Sequence, residues 1–364
     1  MIDFRRQAKW VRASVALTMT CMMARAQDPE PKVAGEADLV ETLNQASLQS
    51  AFQMLRQRYL ERDVLSLDLL NRIALRGLLD HLGTGAELVP EKSSAAPGGS
   101  GEAELRLVSE LLTNQVAYVR PASLGGDELK RFDSVLTGFQ RSPAEALILD
   151  LRCPGGVDRF RNAADFASRF VATGVMLFRL ERPGDDAGAQ QFKSRNGLAW
   201  KKRTVVLVDG DTSPAGEVLA ACLRSQLGSL IVGQVTVGRT AEYEEVPLGA
   251  GGLLRYAVAE VIVGEADREE QTFRQGVLPD LECRLQREKK LSLFAASQKA
   301  GVRPLVYEVE RQRLNEAALV AGRNPELENA LPENVQLQES ANHLDPVIQT
   351  ALDVIAAAHR LQKP

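Results

Sequence analysis

Hydroxyl, amine and guanidinium groups are the candidates for chemistry in this 364-residue chain, because histidine and cysteine are sparse and stand in no metal-binding pattern. The histidines are His81, His343 and His359, and no CxxC or HExxH spacing occurs, so neither a metal nor another cofactor is expected. None of the three completes a Ser-His-Asp motif, and surface or structural roles are expected for all of them. Ser213 is the hydroxyl of interest. A serine is a poor nucleophile until a neighbouring base takes its proton, and Lys201 and Lys202 lie before the preceding strand-like run, where nothing places them near Ser213. Ser213 followed by Pro214 reads more simply as a helix start. The hydroxyl accepts from first-turn amides, and proline takes the first helical position, where its missing N–H is not needed. A nucleophilic role for Ser213 is the alternative.

The elements that must position these groups begin after an N-terminal leader. Arg5, Arg6, Lys9 and Arg12 precede an uncharged run from Ala13 to Met23 and a small-residue site at Ala24-Arg25-Ala26, which reads as a cleavable signal over residues 1–26. That predicts export, periplasmic or secreted, with membrane association only through the uncleaved signal. Without the leader, 39 Lys plus Arg stand against 47 Asp plus Glu, an acidic balance that argues against nucleic acid. Cleavage also leaves Cys153, Cys222 and Cys283, which cannot all pair. Small buried residues are the simpler reading, with a Cys153–Cys283 disulfide as the alternative.

Residues 27–90 read as a helical domain, with Leu69, Leu70, Ile73, Leu75, Leu78 and Leu79 on a face that must bury. Residues 91–104, centred on Ser93 to Gly101, have the composition of a flexible linker. From Val108 onward, strand-like runs at 116–119, 146–151, 205–208, 230–232 and 254–263 alternate with helical stretches at 127–139, 157–171 and 215–227. This pattern predicts an α/β core with a largely buried sheet over residues 105–284. Residues 285–364 read as a polar helical tail broken by Pro325, Pro332 and Pro346, docking on the core through Val347, Ala351, Ile355 and Ala358.

Four segments in one order resemble the tail-specific, or carboxyl-terminal processing, serine peptidases. Leu147 to Gly156 (LILDLRCPGG) is similar to that family's LILDLRxNPGG motif, and Val206 to Gly210 followed by Glu217 to Ala220 resembles LVNGGSASASEILA. Val232 to Arg239 is similar to VGERTFGK, and Gln275 to Asp280 to KGIEPD. Leu75 to Glu91 also resembles the family's helix and its LDPxSxYL turn. The resemblance implies a crotonase-like (ClpP-like) peptidase core that cleaves peptides with a Ser-Lys dyad.

Anchored on Glu217 and Gly238, the resemblance puts the nucleophile at Pro214 and the base at Arg239. Proline has no hydroxyl, and arginine offers donors but no acceptor and keeps its proton. Tyr243 stands where the family places an assisting glutamine. The loop carrying Gly155 and Gly156, expected to supply an oxyanion N–H, is one residue shorter than the family's form, which shifts the amide that must face the developing charge. The PDZ domain common in the family is replaced by the linker. Together these departures imply a pseudopeptidase that binds peptides, envelope proteins or an active relative, with Arg239 pairing either a peptide carboxylate or a structural acid. An active enzyme built on Ser213 and a binder of apolar small molecules are the alternatives.

Overall fold

The computed structural model describes residues 42–61, 65–91, 106–112, 115–153, 159–184, 188–195, 199–249, 251–264, 276–307 and 344–361. The expected signal, all of the linker except Glu91, and His343 lie outside these residues. By internal contacts the chain divides into Met1–Arg76 and Gly77–Pro364. In the N-terminal part, α1 (Gln45–Arg58) starts where Asn44 Oδ1 accepts from the Ser47 N–H at 2.9 Å. Helix α2 (Leu67–Leu82) follows. The apolar face expected to bury in α2 does not do so. Ile73, Leu75 and Leu78 are exposed, and Leu69, Leu70 and Leu79 are only half-buried.

The remaining elements are β1 (Ala86–Pro90), β2 (Val108–Leu112), β3 (Val116–Arg120), α3 (Gly126–Gln140), β4 (Ala146–Asp150), α4 (Phe160–Ala167), β5 (Met176–Glu181), β6 (Gln190–Lys193), β7 (Arg203–Val208), α5 (Pro214–Leu227), β8 (Leu230–Gly233), β9 (Ala241–Gly249), β10 (Gly252–Val263), β11 (Leu281–Glu282), α6 (Arg287–Ala300) and α7 (Pro346–Leu361). One sheet runs β11-β8-β7-β4-β3-β2, parallel except for the β2–β3 pair. The other is antiparallel, in the order β1-β10-β5-β6, with β9 also paired to β10.

The parallel strands are continuous apolar runs because both of their faces are covered. Ala117, Val119, Leu147, Leu149, Val206 and Val208 face a core shared with Phe132, Phe166 and Val218 of the crossover helices and with Phe178 and Val261 of the second sheet. Tyr118, Ile148, Val205 and Leu207, one residue out of phase, face Val347, Ile348, Ala351, Leu352 and Ile355 of α7. Helix α7 of the C-terminal tail is therefore a layer of the core. Each fully buried aliphatic side chain there is worth ~1.5–3 kcal/mol before ordering costs.

Two boundaries differ from the sequence reading. Residues 86–90, assigned there to the helical domain, pair with Gly252–Tyr256 as an edge strand of the antiparallel sheet. Pro346, read there as an interruption, opens α7.

Candidate functional site

The site is built at the carboxyl ends of β4 and β7, where parallel strands feed loops and then helices. After Val208 the chain turns tightly. The Thr212 N–H donates to the Asp209 carbonyl at 3.1 Å, and the Asp209 N–H donates to Thr212 Oγ1 at 3.0 Å. Ser213 then leaves the turn in an extended conformation, φ −64° and ψ 157°, as the cap of α5. Its Oγ accepts from the Gly216 N–H at 3.1 Å, and Pro214 occupies the first helical position. Ser213 is 8% exposed, so the hydroxyl works on the helix end from inside the protein.

Arg239 reaches this region through Glu217, one turn into α5. The Glu217 carboxylate is buried. It accepts from the Gly238 N–H at 3.0 Å and from the Arg239 N–H at 3.3 Å. The two residues that anchored the sequence comparison are thus hydrogen-bonded to each other. Gly238 has φ +79°, a backbone region that favours glycine. Burial pushes Glu217 up to about 7, against the opposing pull of the Arg239 and Gly238 amides, the Thr236 hydroxyl and the Arg239 charge. The Arg239 residue itself is exposed. Tyr243, on β9, gives its hydroxyl proton to the Thr84 carbonyl at 2.8 Å. Burial raises its phenol, and the Arg239 charge opposes that rise.

The facing wall comes from β4. The Leu151 N–H donates to the Leu207 carbonyl at 2.9 Å, and the chain then passes through Arg152 to the buried Cys153. Burial drives the Cys153 thiol up to about 12, which keeps it protonated and unreactive. Gly155 and Gly156 lie outside the described residues. Ser213, Gly216, Leu151, Cys153, Ser123 and Leu124 line a shallow crevice between the walls. A second crevice, beside Glu217, Val218 and Val277, has about 290 Å³ of space with the open solvent at its mouth included. The enclosed cavity itself is only about 20 Å³, far below the ~300–1,000 Å³ of drug-sized ligand sites.

Beneath the walls lies an ionic cluster that sequence reasoning missed. Arg152, 1% exposed, pairs with Asp150 at 2.7 Å and with Asp345 at 2.9 Å. Although burial works against it, the Arg152 charge holds the Asp150 carboxyl below its usual range. Asp150 also accepts from the Tyr118 hydroxyl at 2.7 Å. Lys290 of α6, 2% exposed, lies 2.6 Å from both Asp209 and Asp211 and donates to the Arg152 carbonyl at 3.2 Å. Arg120 donates to Ser297 Oγ at 2.8 Å, with its guanidinium 3.8 Å from the centre of the Phe294 ring. The partners of Arg152 lie 2 and 193 residues away and those of Lys290 up to 138. The only local signal was Asp150 beside Arg152 in a buried strand end.

The structure therefore brings Ser213, Pro214, Glu217 and the Arg239 backbone together and leaves the other polar candidates elsewhere. His81 is exposed, and His359 pairs with Glu145 at 2.6 Å on the protein surface. Lys202 donates to the Ala144 carbonyl, and Lys201 is exposed. Cys153, Cys222 and Cys283 are all free thiols.

Residues 115–283 match the model for a family described as peptidase family S41. The chain is 23% identical over 189 residues to the carboxy-terminal processing protease CtpA of Bacillus subtilis, covering 52% of this chain and 39% of that protein. It is 29% identical over 147 residues to the chloroplastic C-terminal processing peptidase of Tetradesmus obliquus, covering 40% of this chain and 31% of that one. The chain thus spans less than two-fifths of the length of these curated relatives. A solved structure of the photosystem II D1 C-terminal processing protease aligns with a TM-score of 0.38 at 23% identity, over 55% of this chain and 48% of that one. Residues 115–283 therefore carry a likeness to the tail-specific peptidases of family S41.

Proposed function

We propose that this protein is an exported, non-catalytic member of that family, a pseudopeptidase whose cleft binds extended peptide segments without cutting them. The observation that carries this reading is the start of α5. The nucleophile position is a proline in the first helical turn, and the neighbouring Ser213 hydroxyl is held by the Gly216 N–H. Arg239, at the base position, cannot accept a proton from a hydroxyl. Acyl transfer needs both parts, so neither a polarised serine nor a base serves the cleft.

Binding is supported by what the site retains. The crotonase-like core, inferred from the motif order, keeps its crevice beside α5, and Arg239 offers an exposed guanidinium for a peptide carboxylate. Only 17 residues separate β1 from β2, too few for an inserted PDZ module when independent domains start near ~50 residues. Partners are then selected by the core itself: peptide ends, envelope proteins, or an active relative whose substrates this chain holds. The shallow crevices give the small-molecule alternative little support.

The test is incubation of purified protein with an unstructured protein substrate and with a fluorophosphonate probe. No cleavage and no labelling are expected, alongside measurable binding of carboxylate-ended peptides that weakens in Arg239→Ala. Cleavage or labelling that disappears in Ser213→Ala would instead establish an active centre on Ser213.

A further inference from the structure

We propose that Lys290 is the positioning residue of the cleft, and that the C-terminal segment, by carrying it, determines whether the two cleft walls are held together. The walls leave adjacent parallel strands. Their last backbone bond among the described residues is from the Leu151 N–H to the Leu207 carbonyl. Past that rung one strand runs through Arg152 into Cys153, and the other through Asp209 and Asp211 to Ser213. The Lys290 ammonium spans the gap the sheet no longer bridges. It has three protons to give, and it meets one oxygen on the first wall, the Arg152 carbonyl at 3.2 Å, and two on the second, Asp209 and Asp211 at 2.6 Å each.

The contacted atoms lie close to the crevice in sequence. The Arg152 carbonyl belongs to the peptide bond joining Arg152 to Cys153, and Cys153 lines the crevice. Asp209 accepts from the Asp211 N–H at 2.9 Å, and its own N–H holds Thr212, so the whole turn leading into the Ser213 cap is fixed to the ammonium. Asp345 of the same C-terminal segment secures the first wall a second time. It pairs with the Arg152 guanidinium and accepts from the Val347 and Ile348 N–H groups at the start of α7. Both walls therefore meet side chains from residues 287–361, whose helix α7 lies on β4, β7 and β8.

The proposal concerns the regulation of the cleft assigned above to peptide binding, and its test has a readout that does not need the peptide. Cys153 sits in the wall that Lys290 holds, whereas Cys222 lies in the core with no exposure. Native full-length protein is treated with iodoacetamide at fixed pH, and modification of each cysteine is followed by mass spectrometry. Lys290→Met is expected to raise the alkylation rate of Cys153 at least tenfold with Cys222 unchanged, and Asp211→Asn to raise it less. Equal acceleration of both cysteines in Asp211→Asn, or no change at Cys153 in either variant, overturns the proposal. Binding of a fluorescein-labelled unstructured peptide is measured in parallel. Wild-type protein that binds no peptide removes the peptide-binding reading alone, while selective opening at Cys153 still supports the clamp.

Discussion

Ser213 and Asp345 have the same task at two helix starts. Each stands before a proline at the first helical position, and each gives a side-chain oxygen to amides of the first turn. For the Ser213 side chain that is the one hydrogen bond seen among the described residues, so Ser213→Ala is expected to cost about 1 kcal/mol in urea denaturation while leaving the fluorophosphonate result blank. For Asp345 the cap is half of the role, because the same carboxylate also neutralises Arg152. Asp345→Ala is expected to cost ~3–5 kcal/mol, as when one member of a buried pair is removed, and a loss near 1 kcal/mol would mean that only the cap mattered. The Ser213–Pro214 signal was legible from type and spacing. The identical grammar at Asp345–Pro346 is hidden in the sequence, because a proline inside a polar tail reads equally as an interruption. Glu217 was visible as a motif letter, but its grip on Gly238 and Arg239, 21 and 22 residues along the chain, required the loop after β8 to fold back.

Strands covered on both faces declared themselves as unbroken apolar runs, which is why β3, β4, β7 and β8 fall within a residue or two of their sequence expectation. Edge strand β9 did not. Its sequence places Glu242, Glu244 and Glu245 on a ribbon exposed along most of its length, and their partners Arg182, Tyr256 and Arg255 come from other segments. Glycine shows the same division between local and distant causes. At Gly233, φ is +132° and a Cβ would sit 2.1 Å from the Val208 carbonyl oxygen, whereas at Gly138, inside α3, a Cβ meets nothing within 4 Å. Gly233→Ala is therefore expected to destabilise by more than ~1 kcal/mol, because β8 packs its backbone against the Val208 carbonyl at the end of β7, just where the site begins. Gly138→Ala is expected to stabilise by ~0.5–1 kcal/mol through helix propensity. Thermal midpoints that move in the same direction for both would contradict the geometry.

Across the whole molecule, buried carboxylates pull stability in opposite directions with pH. Asp150, held below its usual range beside Arg152, binds fewer protons folded than unfolded. Its stabilisation is therefore complete above the unfolded carboxyl value near 3.8 and lost as pH falls through the lower folded one. Glu217 has the reverse sign. Raised by burial from 4.5 to about 7, it keeps a proton in the fold at pH values where the unfolded chain has released it. Stability consequently drains away as pH rises across that window, by an amount of order 3 kcal/mol. Asp209, also raised by burial, adds to the same slope at the acidic end. The thermal midpoint is expected to peak in mildly acidic solution, between about pH 4 and 5, and to fall toward pH 7. Glu217→Gln retains an acceptor oxygen for the Gly238 and Arg239 amides but has no proton to lose. Scanning calorimetry of that variant should show the decline between pH 5 and 7 flattened and the acid limb unchanged. An unaltered slope would mean that the Gly238 and Arg239 amides and the Arg239 charge fully offset the burial of Glu217, so that it holds no extra proton in the fold.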